Sequence, residues 1–532
     1  MPASSSASIH TSSMQSIGNQ IGYKVRNIAH YGQPQIDIHL DGSHGPHGRY
    51  ITSFSTMDTI TGTVSVTAPH DMRFEDIEIA FTGTAQVFVD RLTTSPSVSG
   101  RTEATHRFLA LKQPITEADL PQPRTLAAGK KYVFPFTFTV PSQLLPRSCA
   151  HAVASDHVRE THLMLPPSLG DPSLAGHSGA LLDDFAPEMS KIVYGIKVRV
   201  TQVHEADGKL SLLAEKLRKV RVKPAFEEQP PLNVDPADPE YKVRREKAIK
   251  KGLFKGKLGT ITAQSMQPKP LVIPGARSSP DAQITTMATM FLRFDPADEN
   301  NTPPRLCSLA TKLKVSTLFA SAPRHNFPTR SSLGFDLTQG AYYDTVSLSS
   351  LCVASAQWVK HTSASNPCSD TNSIERRDSG ISDCSTSSTS ASSSAGIPTQ
   401  SQNYRGGSFY TAKILIPITL PNNKNFIPTF HSCLISRFYS LSLQLSVQAP
   451  GVGDPSIHLK VPVQICAEGS ETGNENARAR SREASMAREA DGMFTPRSFT
   501  QPQTQPAHDL PPEYAVHPPD RNVRLESVSV AG

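Results

Sequence analysis

The chain has 532 residues and a mass of 57.6 kDa, which is too long for one ordinary domain and predicts two or three. Hydrophobic residues make up 37% and aromatic residues 7%, so we expect folded domains joined to a sizeable polar fraction that cannot build a core. The net charge of +6 comes from residues 242–258, which hold eight basic residues and one acidic residue, and this distribution argues against a nucleic-acid partner.

Signals for export, membrane insertion and metal binding are weak. No window approaches the roughly 18 apolar residues of a membrane-spanning helix, and the Ser-rich N-terminus lacks a secretory signal, so we expect a cytosolic or nuclear protein. The seven cysteines are scattered without a CxxC pair, which predicts neither a disulfide framework nor a zinc ribbon. His39, His44 and His47 are separated by Gly and Pro, as in an exposed turn. We therefore predict no metal site and no cofactor.

Alternation of apolar and polar residues is the dominant pattern along the chain. It is clearest in residues 131–140, 191–200, 441–448 and 457–465. Successive side chains of a strand point to opposite faces, so each run predicts a half-buried strand of an antiparallel sheet. Helical spacing is nearly absent outside residues 210–220 and 242–258, which indicates an all-β chain of sandwich type. The positions predicted to face inward are Tyr132, Phe134, Phe136, Phe138, Val140, Ile192, Tyr194, Ile196, Val198, Val200, Leu441, Leu443, Leu445, Val447, Ile457, Leu459, Val461, Val463 and Ile465.

The predicted strands fall into two groups, residues 35–221 and 241–467, and each group is expected to form one antiparallel β-sandwich. Residues 222–240 contain five prolines and no periodicity, and we predict that they form the linker. The segments predicted to be disordered are the N-terminus 1–34, the Ser-rich insertion 361–403 and the Pro-rich tail 468–532.

Four blocks of the sequence resemble arrestin-like proteins, and among them the fungal α-arrestins. GTVSVTAPHDMRFEDIEIAFTGTAQV (62–87) resembles the early hairpin of an arrestin N-domain, LAAGKKYVFPFTFTVPSQLLPRS (126–148) a later segment of that domain, and KIVYGIKVRV its final long strand. PTFHSCLISRFYSLSLQLSV and SIHLKVPVQI (428–447, 456–465) resemble the end of an arrestin C-domain. The resemblance implies two tandem arrestin-like (immunoglobulin-like) sandwiches, an N-domain over 35–221 and a C-domain over 241–467. It also implies a cytoplasmic adaptor without a reaction centre, recruited peripherally to the plasma membrane and endosomes.

A proline motif lies near the C-terminus: Leu510, Pro511, Pro512, Glu513 and Tyr514. Consecutive prolines favour the polyproline II conformation, which docks in the aromatic groove of a WW domain, while the tyrosine fills a second pocket. The resemblance implies that this motif recruits a HECT-type ubiquitin ligase with WW domains. The sandwiches would hold cytosolic tails of membrane transporters or receptors, and promote their ubiquitination and endocytosis. The alternative is an arrestin-fold signalling or sorting scaffold that acts independently of a ubiquitin ligase.

The cationic segment, residues 242–258, has three interpretations that do not exclude one another. In the first, the segment forms a solvated strand edge whose lysines block aggregation between sheets. In the second, it contacts an anionic membrane surface through basic residues interleaved with apolar ones. In the third, which the resemblance suggests, it accepts ubiquitin from the tethered ligase. The candidate ubiquitin-acceptor or anionic-lipid-contacting residues are Lys247, Lys250, Lys251, Lys255 and Lys257.

Two serines follow basic residues in the polar segments, and we predict that Ser379 and Ser481 are phosphorylation sites. RRDSG (376–380) and RARS (478–481) suit the acidic cleft of a basophilic kinase. Each phosphate would add about −1.5 to −2 charge and so alter a binding surface. Catalytic motifs are missing from the sequence, which has no phosphate-binding loop, nucleophile elbow, HExxH or GxGxxG pattern. We therefore do not expect an enzyme.

Overall fold

The chain divides into two units, Met1–Arg478 and Ala479–Gly532, and the strands found among the described residues lie in the first. Within the described part of the chain, no helix is long and apolar enough to cross a membrane. The computed structural model describes residues 32–41, 53–90, 100–171, 174, 176–177, 180–204, 208–235, 238, 240–252, 256–275, 282–329, 333, 336–362, 397–402, 404–448 and 455–494.

The N-terminal sandwich has two main sheets, ordered β1-β3-β8 and β2-β12-β11-β5-β6, and its long neighbours pair antiparallel. Short pairs β4-β7 and β9-β10 lie outside these sheets, and helix α1 (Asp156–Leu163) precedes β9. The strands are β1 (Gln35–Leu40), β2 (Ser53–Phe54), β3 (Thr59–Thr67), β4 (Met72–Arg73), β5 (Asp76–Val89), β6 (Thr102–Lys112), β7 (Thr125–Leu126), β8 (Lys131–Thr139), β9 (Gly176–His177), β10 (Ala180–Leu181), β11 (Ser190–Val203) and β12 (Leu210–Val222).

The C-terminal sandwich also has two main sheets, and each of them has five strands. One is ordered β13-β14-β16-β20-β19; the other is ordered β18-β17-β22-β21, with β23 also paired to β22. A parallel pair, β15-β24, closes one side. The strands are β13 (Arg244–Lys250), β14 (Lys257–Ser265), β15 (Leu271–Ile273), β16 (Thr285–Pro296), β17 (Arg305–Ala320), β18 (Gln339–Cys352), β19 (Val359–Thr362), β20 (Ser408–Thr419), β21 (Phe430–His431), β22 (Ile435–Gln448), β23 (Ser456–Val463) and β24 (Ile465–Ala467).

The predicted inward faces are confirmed, and with them the all-β sandwich class. Every predicted inward position in residues 191–200, 441–448 and 457–465 is at most 2% exposed. In β8 the phenylalanines and the following Val140 are buried, whereas Tyr132 is half-buried and its hydroxyl accepts a hydrogen bond from the Ala127 N–H (3.1 Å). The hydrophobic effect therefore sets the face of each strand as the period of two predicts.

The two stretches with helical spacing are strands. Residues 210–220 belong to β12, which pairs along its length with β11, and residues 244–250 form β13. Pairing with β11 and with β14 satisfies backbone groups along one side of each segment and outweighs their local preference. Because β13 is the outer strand of its sheet, the structure agrees with the interpretation of the cationic segment as a strand edge.

The predicted linker contacts both sandwiches. The Phe226 side chain is buried in the N-terminal core, while its backbone exchanges two hydrogen bonds with Ala467 (3.0 and 3.2 Å) of the C-terminal sandwich. The Gln229 N–H donates to the Gln464 side chain (3.0 Å). The predicted insertion also has ordered ends: β19 reaches Thr362, and residues 397–402 return to the sheet. Residues 363–396 lie outside the described residues.

The start of the predicted disordered tail is a helix, which corrects the prediction. Helix α2 spans Glu471–Phe494, directly after β24. This stretch is rich in Glu, Ala and Arg and contains no proline, so its residues favour a helix despite their polarity. Residues 495–532 lie outside the described residues.

Candidate functional site at the junction of the two sandwiches

A buried arginine joins the two sandwiches. Arg437, on β22, is 0% exposed, and its Nε donates a hydrogen bond to Thr317 Oγ1 (2.9 Å) in the same sandwich. Its Nη1 and Nη2 donate to the backbone carbonyls of Asp184 (2.9 Å) and Phe185 (3.0 Å), in the loop before β11 of the N-terminal sandwich. We call residues 183–185 the junction loop. The sequence carries a signal for this role, because Arg437 is an even number of residues from Leu441 and Leu443 and therefore points to the same, inward face of β22.

Phe185 of the junction loop inserts into the other domain. Its side chain is 2% exposed and belongs to the hydrophobic core of the C-terminal sandwich, with its ring centroid 5.4 Å from that of Phe426. Its φ of 57° is in the left-handed region, which is unfavourable for a bulky residue. The fold thus accepts local backbone strain because the ring is buried in the neighbouring core.

Two aspartates hold the junction loop in this conformation. Asp183 Oδ1 accepts a hydrogen bond from the Phe185 N–H (2.8 Å). The carboxylate of Asp184 accepts hydrogen bonds from the N–H groups of Gly170 (2.8 Å) and Ala186 (3.1 Å). These bonds stay within the N-terminal sandwich and leave the two carbonyls of the loop for Arg437. The loop is therefore presented ready for docking.

A partly exposed ion pair links the two sandwiches at the edge of the junction. Lys424 Nζ lies 2.9 Å from Asp183 Oδ2, and the Asn425 N–H donates to the Asp183 carbonyl (2.9 Å). Burial opposes ionisation of Asp183, but the hydrogen bonds from Lys424 and the Phe185 N–H, together with the Lys424 charge, outweigh it, so the pKa of Asp183 lies below its usual value. The pair is partly exposed, so its contribution to stability is small compared with the buried contacts of Arg437.

The C-terminal sandwich in turn contributes side chains to the N-terminal core. Cys433, Leu434 and Ile435 are buried in that core. Beside them Arg324 is 4% exposed; its Nη1 donates to Ser436 Oγ (2.9 Å), and burial lowers the pKa of Arg324 to about 9. Each core thus contains residues of the other domain.

Lys223 lies beside a small cavity in the junction, which Arg221 and Asp184 also line. Burial, with a smaller effect of the Arg221 charge, lowers the pKa of Lys223 from 10.5 to about 7. The unfolded chain therefore binds more protons than the folded chain between about pH 7 and 10.5. Burying the charged Lys223 side chain therefore destabilises the folded state. This loss of stability is fully present below pH 7 and disappears as the pH rises from about 7 to 10.5.

Replacing Lys223 by Met is accordingly expected to stabilise the protein at neutral pH and not at pH 10. We expect a gain of about 2–4 kcal/mol near pH 7 that falls toward zero by pH 10, because Met cannot be charged. Urea unfolding of wild-type and Lys223→Met protein at several pH values measures the difference. Lys312→Met, at an exposed position of β17, is the control and should change stability by less than about 0.5 kcal/mol throughout. A pH-independent difference for Lys223→Met would contradict the assignment.

Four potential metal ligands also meet at the junction: Cys149, His151, His162 and Cys433. Burial lowers the pKa of His162 to about 4, and burial together with Cys149 raises the pKa of Cys433 to about 12. The prediction from sequence missed this group because Cys433 comes from the second sandwich. The short spacing of Cys149 and His151 is the one local signal that could have suggested it.

The candidate acceptor lysines lie along and after the outer strand β13. Lys247 Nζ donates to the Ser456 carbonyl (2.7 Å), and Lys251 pairs with Asp298 (3.2 Å). Lys250 and Lys257 are exposed, and Lys255 lies outside the described residues. The structure therefore leaves Lys250 and Lys257 as the more accessible of the described candidates.

The apolar residues of the cationic segment are partly committed to the core. Ile249 is 1% exposed and Leu258 is 7% exposed, and both belong to the core of the C-terminal sandwich. Membrane contact by this segment stays a prediction, because residues 253–255 lie outside the described residues. Ser481 is exposed on α2, whereas Ser379 and the motif 510–514 lie outside the described residues.

Two tandem antiparallel sandwiches with a shared junction define a two-domain all-β binding protein. Comparison with family models gives matches in both halves: the model described as arrestin (or S-antigen), N-terminal domain, matches residues 37–203, and the model described as Bul1 C terminus matches residues 257–467. No curated protein matches the chain. The chain belongs to the arrestin-like adaptor family, and its two matched domains identify an arrestin-related trafficking adaptor.

Proposed function

We propose that this adaptor recruits a WW-domain HECT-type ubiquitin ligase to plasma-membrane transporters or receptors and promotes their ubiquitination and endocytosis. The observation that carries the proposal is the sequence Leu-Pro-Pro-Glu-Tyr at 510–514 on a chain with two arrestin-related domains. With this composition, chance would give only about 0.08 PPxY matches. The Bul1 C-terminus match favours a ubiquitin ligase as a partner.

The proposed mechanism is bridging. The sandwiches bind the cytosolic tail of the cargo, and the motif at 510–514 binds the ligase. Because both sites belong to one chain, the ligase is held at a high effective concentration near the lysines of the cargo, which can raise overall avidity by about 10²–10⁴ without any new contact. Lys250 and Lys257 are then candidate acceptors on the adaptor itself.

Tyr514→Ala is expected to abolish binding of an isolated WW domain. The tyrosine is the aromatic anchor of the motif, and loss of such an anchor removes about 2 kcal/mol or more, a decrease in affinity of about 30-fold or more. Capture of the full-length chain on immobilised WW domains, with binding isotherms for each variant, measures this effect.

The chain offers a matched control for the prolines. Pro518 and Pro519 form a second pair, but Arg521 stands where a PPxY motif has tyrosine. Alanine at Pro511 and Pro512 should therefore remove binding, whereas alanine at Pro518 and Pro519 should leave it unchanged. In cells, proximity labelling with Tyr514→Ala should lose the ligase and keep the cargo. Undiminished capture of the ligase would favour the alternative, a sorting or signalling scaffold.

A further inference from the structure

Four side chains from separate parts of the fold converge on one point of the junction. Cys149 ends a short 3-10 helix, His151 follows two residues later, and His162 lies in the last turn of α1. Cys433 comes from the loop between β21 and β22 of the other sandwich. The two sulfur atoms and two ring nitrogens all lie within 4.8 Å of one another. We propose that Cys149, His151, His162 and Cys433 form a tetrahedral Zn²⁺ site that fastens the two sandwiches together.

The spacing of the ligand atoms suits tetrahedral zinc. Zinc–sulfur bonds of about 2.3 Å and zinc–nitrogen bonds of about 2.0–2.1 Å place neighbouring ligand atoms roughly 3.3–3.8 Å apart. Cys149 Sγ lies 3.4 Å from His151 Nε2 and 3.7 Å from His162 Nδ1. Both distances fall within this range, so the ion can enter with small side-chain shifts.

The orientation of His151 supports the assignment. Its Nδ1 lies 3.1 Å from the backbone carbonyl oxygen of Ala152. In the tautomer that donates this bond, Nε2 carries the lone pair and faces Cys149. Zinc-bound histidines commonly donate their second ring N–H to a carbonyl, which fixes both tautomer and ring direction.

Burial indicates a structural site and not a catalytic one. Cys149 is 0% exposed, His162 is 2% exposed and Cys433 is 3% exposed. With protein atoms at all four positions, the ion would have no open position for water or substrate, as in structural zinc sites. The ion would also give the three buried ligands and the half-buried His151 one shared partner, which compensates for the loss of hydration of the buried groups.

Charge favours two thiolate ligands at this position. Both thiols lose a proton when zinc binds, so two thiolates and one Zn²⁺ sum to zero. The surroundings are already cationic, because the charge of the buried Arg324 acts on His162 and the Arg159 guanidinium donates to the Cys149 carbonyl (2.8 Å). A divalent ion held only by neutral ligands would add charge to this buried region, whereas the Cys₂His₂ set does not.

The test uses the full-length chain purified under reducing conditions. Elemental analysis should find about one zinc per chain, and exchange into Co²⁺ should give the visible bands of tetrahedral cobalt and near-ultraviolet thiolate-to-cobalt bands. Cys433→Ser should lose the metal and the bands. Cys466→Ser is the matched control, because Cys466 is also buried in the second sandwich but lies outside the four-residue group.

Stability provides a second readout. Removing zinc with a chelator should lower the unfolding temperature of the wild-type chain, because the bound ion stabilises only the folded state. His151→Gln, at a half-buried position, should still fold but lose zinc to a chelator that the wild-type chain resists.

Wild-type chain that contains no zinc and develops no cobalt bands when Co²⁺ is supplied would overturn the proposal. A Cys149–Cys433 disulfide found by peptide mass mapping of unreduced protein would also overturn it. Both outcomes concern the wild-type chain, so they do not depend on the folding of any variant.

Discussion

Replacing Arg437 by Met is expected to lower the free energy of unfolding by about 3–5 kcal/mol. Met retains most of the apolar volume of the arginine stem but none of its donors. The carbonyls of Asp184 and Phe185 would lose their hydrogen-bond donors inside the junction. Relief of the buried charge offsets part of the loss, but the unsatisfied acceptors dominate because they are held in place by the rest of the loop.

The measurement is urea unfolding followed by the fluorescence of Trp358, the single tryptophan of the chain, which lies in the second sandwich. Arg245→Met is the control, since Arg245 is exposed on the outer strand β13, and it should change stability by less than about 0.5 kcal/mol. The stability of Arg437→Lys should lie between that of wild type and that of Arg437→Met, because a single ammonium group cannot reach all the acceptors that the planar guanidinium reaches. Equal stability of Arg437→Met and wild type would refute the assigned role.

Replacing Phe185 by Ala is also expected to cost about 3–5 kcal/mol, as is usual for truncating a buried phenylalanine. The substitution leaves a cavity beside Phe426 in the second core. It also keeps the unfavourable φ of 57°, because Ala has a Cβ atom, while it removes the burial that offsets the strain.

Loss of the Phe185 ring should weaken the coupling of the two sandwiches more than the internal stability of the first. We therefore expect Trp358 fluorescence, which reports on the second sandwich, and far-ultraviolet circular dichroism, which reports on both, to give separate transitions in Phe185→Ala. Leu415→Ala, at an exposed position of β20, serves as the control and should leave the transitions unchanged. Superimposable wild-type and Phe185→Ala curves would show that the ring does not join the domains.

The two junction substitutions should not be additive. Arg437 donates to the carbonyl of Phe185 itself, so each change disturbs the contact that the other removes. The double variant is expected to lose less stability than the sum of the single losses, with a coupling of about 0.5–3 kcal/mol. For an adaptor that holds cargo on its sandwiches and a ligase at residues 510–514, such coupling would transmit a change in one domain to the other.

Local sequence pattern predicted the parts of the fold that depend on neighbouring residues. The period of two identified the buried faces of β8, β11, β22 and β23, because successive side chains of a strand point alternately to the core and to water. The tail was predicted to be disordered from its polar, Pro-rich composition, but its start forms α2, because Glu, Ala and Arg favour a helix despite their polarity.

By itself, the sequence determined an all-β chain with two groups of half-buried strands and a proline motif, since these follow from side-chain period and composition. Only the tertiary structure decided that Phe185 enters the opposite core, that Arg437 binds the junction loop, and that Cys433 meets Cys149. These contacts join residues far apart in the chain, and their energies depend on burial and geometry that no local pattern encodes. The junction is therefore a property of the folded chain, although every residue in it is visible in the sequence.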